Sequence, residues 1–194
     1  NAVRKNGKLQ LSGESTEVCQ YYAFFFNLVT PRTHPELWKT LVNDFGPKRK
    51  ETKLWPEIGM ANQLVGNVMR LELLSRFGGN LDKILDESVD YLLYMADRTG
   101  TLWENNGDYA SCNHGFASHE IRVLYRDVLG VSSIDSLRRI VSLNVSKEVP
   151  LDWCEGTLPT PDGLVKIRWD RQDNGELKVT SKLPKGWVLI KKRI

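Results

Sequence analysis

Apolar residues recur along this chain at two periods, a helical one up to about residue 130 and a strand-like one after it. The first dozen residues, with Gly7 and Gly13 nearby, read as a loop or a short extended arrival. From Glu17 to Leu28 there is no glycine or proline, and Tyr21 to Phe26 is almost continuously apolar and aromatic. That run predicts a helix that has to be covered on most sides. Thr33-His34-Pro35-Glu36 supplies a capping residue, a proline tolerated in the first turn and a glutamate three positions past the cap, so a second helix is expected from there to about Asp44. Pro47 and the charges after it break the pattern. Trp55-Pro56-Glu57 then leads into a third helix with a stripe of Ile58, Ala61, Leu64, Val65, Val68, Met69, Leu71 and Leu74, ending before Gly78-Gly79. Asn80 opens a fourth, with Leu81, Ile84, Leu85, Val89, Leu92 and Leu93 on one face and Gly100 as its stop. A fifth is expected from about His114 to Leu129, with Phe116, Ala117, Ile121, Leu124, Tyr125 and Val128 facing inward and Gly130 ending it.

From Arg139 the period becomes two. Ile140, Ser142 and Val145 alternate roughly, Pro161-Asp162-Gly163 signals a turn, and residues 164–169 alternate well. Asp173-Asn174-Gly175 is the strongest hairpin turn in the sequence, followed by residues 177–180 and 187–190 as further strands. The expected architecture is α+β in sequential domains. Residues 1–130 form a helical unit of about five helices, and residues 131–194 a small antiparallel β-sandwich. Five helices are too few to enclose a pocket and rich in surface that wants covering, which predicts contact with further sequence or self-association through exposed apolar helices.

Composition changes this picture little. The formal net charge is +3, with basic clusters at Lys48-Arg49-Lys50 and Lys191-Lys192-Arg193. Without a helical or aromatic-interleaved basic stripe, the first reads as a solvated loop and the second as a frayed tail, so nucleic acid is not an expected partner. Cys19, Cys112 and Cys154 are widely spaced and odd in number; they read as free, mostly buried thiols, with one disulfide plus one free thiol as the alternative. No metal-ligand spacing is present, no cofactor motif is found, and the longest apolar run is too short to span a bilayer. Compartment is left open; a periplasmic or extracellular site is expected only where a full-length protein carries a signal peptide.

Chemistry concentrates in residues 100–119, where an acid, aromatics, amides and two imidazoles share a mostly non-helical stretch between apolar helices. Glu104 follows Trp103, and an indole beside a carboxylate can stack on a sugar ring and dry the acid's surroundings. Glu104 also reads as a surface glutamate or a helix-terminal ion-pair partner, Trp103 as a core residue, and Asp108 as a turn residue. His114 either orients a hydroxyl or packs as a satisfied histidine. His119 lies five residues on, about 140 degrees round a helix, so the two imidazoles do not share a face as a metal pair would. Asn113 suits a cap or loop brace. The acids at Glu14 to Glu17, Glu36 and Glu57 sit at helix entrances, where the helix field favours them. At Glu57, Trp55 repeats the aromatic-plus-acid pattern.

The segments GTLWE (100–104), SCNHGFASH (111–119) and VLYRDVLG (123–130), with EVCQYYA (17–23) and LELLSR (71–76), resemble the C-terminal half of the catalytic domain of the bacterial α-L-rhamnosidases, glycoside hydrolase family 78. GTLPTPDG (156–163) through IRW (167–169) resembles the small β-sandwich that follows that barrel. The resemblance implies a partial (α/α)6 barrel and hydrolysis of terminal α-L-rhamnosides or related deoxysugar glycosides with inversion. It also implies Glu104 as the general base that activates water, His114 as a ligand to the sugar and Trp103 in the pocket lining; Glu57 or Trp55, which no family motif matches, is a further candidate for its rim. Carbohydrate and the rest of the barrel are the implied partners. Inversion needs two carboxyl groups about 6.5–9.5 Å apart, and no segment here matches the half of the barrel that carries the acid, so the isolated chain is expected to be inactive. The competing reading is a non-catalytic carbohydrate-binding or helical interaction module.

Overall fold

The computed structural model describes residues 2–5, 8–11, 15–61, 65–104 and 110–193. The chain is α+β and divides into two compact units, one of residues 1–77 and 87–117, the other of residues 78–86 and 118–194. Residues 118–130, helical by sequence pattern, therefore group with the strands.

The first unit begins with a hairpin of β1 (Ala2–Lys5) and β2 (Lys8–Leu11), where a loop or extended arrival was expected. Helix α1 (Glu17–Phe25) starts where Thr16 accepts the Cys19 N–H on its hydroxyl and places Glu17 in the first turn. It ends three residues short of the expected Leu28, because Asn27 turns into the left-handed region at φ 56°. Tyr21 and Phe24 point into the core, and a chain of aromatic contacts runs from Phe24 to Trp38 (5.3 Å) and on to Phe77 (4.9 Å). Covering on most sides is not what the described residues show: Phe26 is 62% and Leu28 79% exposed.

Helix α2 (Pro35–Asn43) begins at the predicted place, but its capping residue is His34, whose side chain makes no capping bond. The Thr33 hydroxyl instead accepts the Thr30 N–H, bracing the turn before the helix. The expected third helix is replaced by a short helix α3 (Arg49–Thr52), an irregular stretch over 53–61, and helix α4 (Val65–Phe77). Ile58 and Ala61 thus lie outside any helix; Leu64 falls outside the described residues.

The cause is tertiary. Arg49, expected in a solvated loop, is buried, and its guanidinium donates to the carbonyls of Leu54 (2.9 Å), Trp55 (2.7 Å) and Ile58 (2.6 Å). Those acceptors would otherwise serve a helix's own backbone ladder. Arg49 is anchored by the buried Glu17, which also accepts the Tyr21 hydroxyl and the Ala61 N–H. Glu17 stands at a helix entrance as expected, in the first turn of α1, and is also a member of an internal ion pair. Reciprocal backbone bonds, Glu17 N–H to Gly59 O and Gly59 N–H to Ser15 O, dock the stretch on the start of α1.

Helix α5 (Leu81–Thr99) runs from the predicted start to Gly100, which has φ 67°. Arg70 of α4 and Glu87 of α5 pair inside the unit, and Arg70 also donates to the carbonyls of Leu41 and Val42. Gly46 has φ 101°, which favours glycine, and a Cβ there would stand 2.5 Å from Arg70 Nε, so a side chain would have to displace the guanidinium.

In the second unit, the expected fifth helix is one continuous helical stretch of three windings, 3-10 at Gly115–Ser118, α6 at His119–Val123 and π at Leu124–Val128; Gly115–Ala117 belong to the first unit. Ala117 and Val128 face inward as expected, whereas Phe116 and Ile121 are exposed. Two three-stranded sheets follow. One has the order β3 (Val131–Asp135), β4 (Ile140–Asn144), β8 (Val188–Arg193); the other has β5 (Trp153–Thr160), β6 (Gly163–Arg171), β7 (Leu177–Lys182). The expected all-antiparallel sandwich needs correction, since β4 and β8 run parallel. β4 buries Val141, Ser142 and Leu143 in succession, which is why its sequence alternates poorly.

The inner faces of both sheets share one core around Val141, Leu143, Val165, Ile167 and Trp169, with Leu81, Leu85, Leu124 and Tyr125 packed against it. The Trp169 indole N–H donates to the Val128 carbonyl at 3.2 Å, tying β6 to the helical stretch. Both predicted turns close hairpins: Thr160 pairs with Gly163 across β5–β6, and Gly175 sits at φ 79° between β6 and β7.

Candidate functional site

The segment carrying Glu104 is braced by hydrogen bonds between two irregular stretches just beyond the end of α5. Glu104 N–H donates to Ser111 O at 2.9 Å, and His114 N–H donates to Leu102 O at 2.7 Å. The Thr101 hydroxyl reinforces this by donating to the Cys112 carbonyl. These bonds bring residues 102–104 alongside 111–114, so Glu104 and His114, ten positions apart in sequence, sit on adjoining segments of one brace. Asp108 lies outside the described residues, as does Glu14.

The Glu104 side chain is half-buried, and its Oε2 accepts the Ser111 N–H at 3.4 Å. Among the described residues this is the one hydrogen bond to the carboxylate, which leaves it acceptor capacity for a further donor. His114 is also half-buried. Its Nδ1 accepts the Phe116 N–H at 3.3 Å and its ring lies 3.6 Å from the Phe116 ring. An accepting Nδ1 puts the proton of the neutral imidazole on Nε2, the nitrogen able to donate to a hydroxyl. Asn113 braces the loop as expected, by a reciprocal pair of bonds between its backbone and the Ser111 hydroxyl.

Trp103 is a core residue here. Only 2% exposed, it packs with Met95 and Ala117, meets Tyr94 edge to face at 5.4 Å, and donates its indole N–H to the Thr99 hydroxyl at 2.7 Å. Its part is to fix the backbone from which Glu104 projects. Trp55 and Glu57 are exposed and belong to the stretch organised by Arg49; the Trp55 indole donates to Asp44 at 3.0 Å. Among the described residues Trp55 is bonded to Asp44 and Arg49 and not to the 102–114 brace.

The expectation of mostly buried thiols is corrected: all three cysteines are free, Cys19 is exposed, and Cys112 and Cys154 are half-buried. Burial raises the pKa of the Cys154 thiol. Among the described residues no group of three or more His, Cys, Asp or Glu side chains is placed to hold a metal, and no helix is long and apolar enough to cross a membrane.

Sequence reasoning missed the buried charges that set this scaffold, Glu17 with Arg49 and Arg70 with Glu87. Arg70, set between Met69 and Leu71 in the apolar stripe of α4, was the available signal; nothing local singles out Glu87, which follows Asp86 in the charged sequence of α5.

No family model matches the sequence, and no curated protein matches it by sequence. The fold is similar to that of a crystal structure of a glycoside hydrolase family 78 rhamnosidase from Bacillus sp. GL1, with a TM-score of 0.69 and 18% identity over 94% of this chain. The chain spans 19% of the length of that enzyme.

Proposed function

We propose that this chain is part of an inverting glycoside hydrolase acting on terminal α-L-rhamnosides or related deoxysugar glycosides. Residues 1–130 contribute a portion of an (α/α)6 catalytic barrel, and residues 131–194 the β-domain that follows it. The observation that carries the reading is the fold likeness over 94% of the chain to a family 78 rhamnosidase. The half-buried, lightly bonded Glu104 carboxylate is compatible with it. In this reading Glu104 takes a proton from the attacking water and His114 Nε2–H holds a sugar hydroxyl. Trp103 acts through the brace, as a positioning residue rather than a sugar platform. Trp55 and Glu57 stay as candidates for the pocket rim.

A second carboxyl group has to protonate the departing oxygen, about 6.5–9.5 Å from Glu104 for inversion. It comes from elsewhere in a longer polypeptide, and the chain alone does not turn over. The test is a glycosidase assay of the longest polypeptide that contains this sequence, on a panel of α-L-rhamnosides and other deoxysugar glycosides, with the anomer of the first-formed sugar read by proton NMR. Hydrolysis with inversion is expected. Retention, or no turnover of any glycoside in the panel, would refute the proposal.

A further inference from the structure

The outer face of the β5–β6–β7 sheet carries an arrangement that packing does not account for. Val165, Ile167 and Trp169 of β6 are buried, so the alternating Lys166, Arg168 and Asp170 project from the opposite face. The register sets Thr157 and Lys182 on either side of Lys166, Glu155 and Thr180 beside Arg168, and Trp153 and Lys178 beside Asp170. Four cations therefore share this face with two carboxylates, and Arg168 engages both, Asp170 at 2.6 Å and Glu155 at 3.7 Å.

Lys166 and Lys182 are direct cross-strand partners. Like charges placed opposite each other destabilise a strand pair, and among the described residues neither lysine side chain forms a hydrogen bond or an ion pair. Both line a shallow depression with Glu155, Arg168 and Thr180. At the other end of the face Trp153 is 56% exposed, with the Arg168 guanidinium 4.5 Å above its ring centre. An exposed indole held by a cation, hydroxyls, and two uncompensated ammonium groups thus occupy one sheet face. Four residues of strand β6, about 13 Å, separate the row of Lys166 from that of Trp153.

We infer that this sheet face binds a carboxylate-bearing oligosaccharide, with Trp153 stacked on one sugar ring and Lys166 and Lys182 paired with the carboxylate of another. A uronic-acid glycan combines the three chemistries displayed: apolar ring faces for the indole, hydroxyls for Thr157 and Thr180, and spaced single negative charges for the lysine pair. A polyphosphate backbone carries charge too densely for a face that also holds Glu155 and Asp170. The inference rests on this sheet alone and is independent of the role of Glu104.

The test is calorimetric titration of the chain at low salt with an α-1,4-linked oligogalacturonate. Its fully methyl-esterified form, poly-L-glutamate and single-stranded DNA serve as comparisons. The oligogalacturonate should bind, and its affinity should fall by about tenfold or more on methyl esterification, in Trp153→Ala, and in Lys166→Gln/Lys182→Gln. Poly-L-glutamate should bind more weakly and be insensitive to Trp153→Ala. The lysine double variant should also melt at or above the temperature of the parent, because it removes a repulsive pair, which keeps loss of binding distinct from loss of fold. Absence of oligogalacturonate binding, binding unaffected by both variants, or poly-L-glutamate or DNA binding as tightly as the oligosaccharide would overturn the inference.

Discussion

Arg70 and Glu87, on helices α4 and α5, form a two-point ion pair inside the first unit: Nε to Oε2 and Nη2 to Oε1 are both 2.7 Å, with side chains 2% and 8% exposed. Burial disfavours the Arg70 charge, but the hydrogen bonds it donates to Glu87, with the neighbouring Tyr21, hold its pKa above the ordinary arginine value. Such a pair stabilises little relative to an apolar replacement, yet its rupture is costly because one charge is left buried alone. Arg70→Met is expected to lose about 3–5 kcal/mol in urea denaturation. Arg70→Met/Glu87→Leu should recover most of that loss, though not all, since the carbonyls of Leu41 and Val42 also lose their donor. Equal losses in the single and double variants would show that the pair does not act as a unit.

Tyr21 gives this unit a pH dependence. Burial holds its phenol well above the ordinary tyrosine value of 10.0, so between the unfolded and folded pKa values the native state keeps a proton that the unfolded state releases. Stability from this group is complete below about pH 10 and declines as pH rises beyond it. Melting temperature should therefore fall above pH 10, and more shallowly in Tyr21→Phe. Parallel alkaline profiles for the two proteins would contradict this.

The irregular stretch over residues 54–61 depends on Arg49 more than on its own sequence. Lysine in that position keeps a charge for Glu17 but cannot reach three carbonyls with a fixed planar fork. Arg49→Lys should speed amide exchange across 54–61 by about tenfold or more, in line with about 1.5 kcal/mol or more of lost charged hydrogen bonding, while amides of β6 in the second unit keep their rates. Unchanged exchange over 54–61 would mean that the stretch is self-supporting.

These buried charges also explain what the sequence concealed. Period alone located α5, the body of α4 and the β6–β7 hairpin, because each has a clean apolar stripe or alternation and a glycine where the chain turns. It extended the third helix too far towards its N-terminus, since Ile58 and Ala61 fit the stripe and nothing local shows that Arg49 and Glu17 claim that backbone. Strand β5 was hidden by Gly156 and Pro159, which blur its alternation, and the parallel pairing of β8 with β4 joins segments more than forty residues apart. At the site, the cluster of chemistry around Glu104 and His114 was legible, whereas the commitment of Trp103 to the core depends on Met95, Thr99 and Ala117, which only folding brings to it.

Tyr22 stacks on Phe26 at 5.7 Å, and Tyr22, Phe26 and Leu28 are all exposed. On the proposed function this apolar surface meets the rest of the barrel, so the isolated chain should self-associate. Light scattering should show species larger than a monomer, and Phe26→Ser/Leu28→Ser should reduce both the association and the binding of an apolar dye. A monodisperse monomer that binds no dye would contradict this use of the surface.

The role of Glu104 is tested most directly by turnover of the longest polypeptide containing this chain, with Glu104→Gln against the parent on the best α-L-rhamnoside. An amide keeps the size of the side chain but cannot take a proton from water. A kcat lower by about 10²–10⁴-fold is expected, with KM and melting temperature little changed. An undiminished kcat in Glu104→Gln would contradict that role.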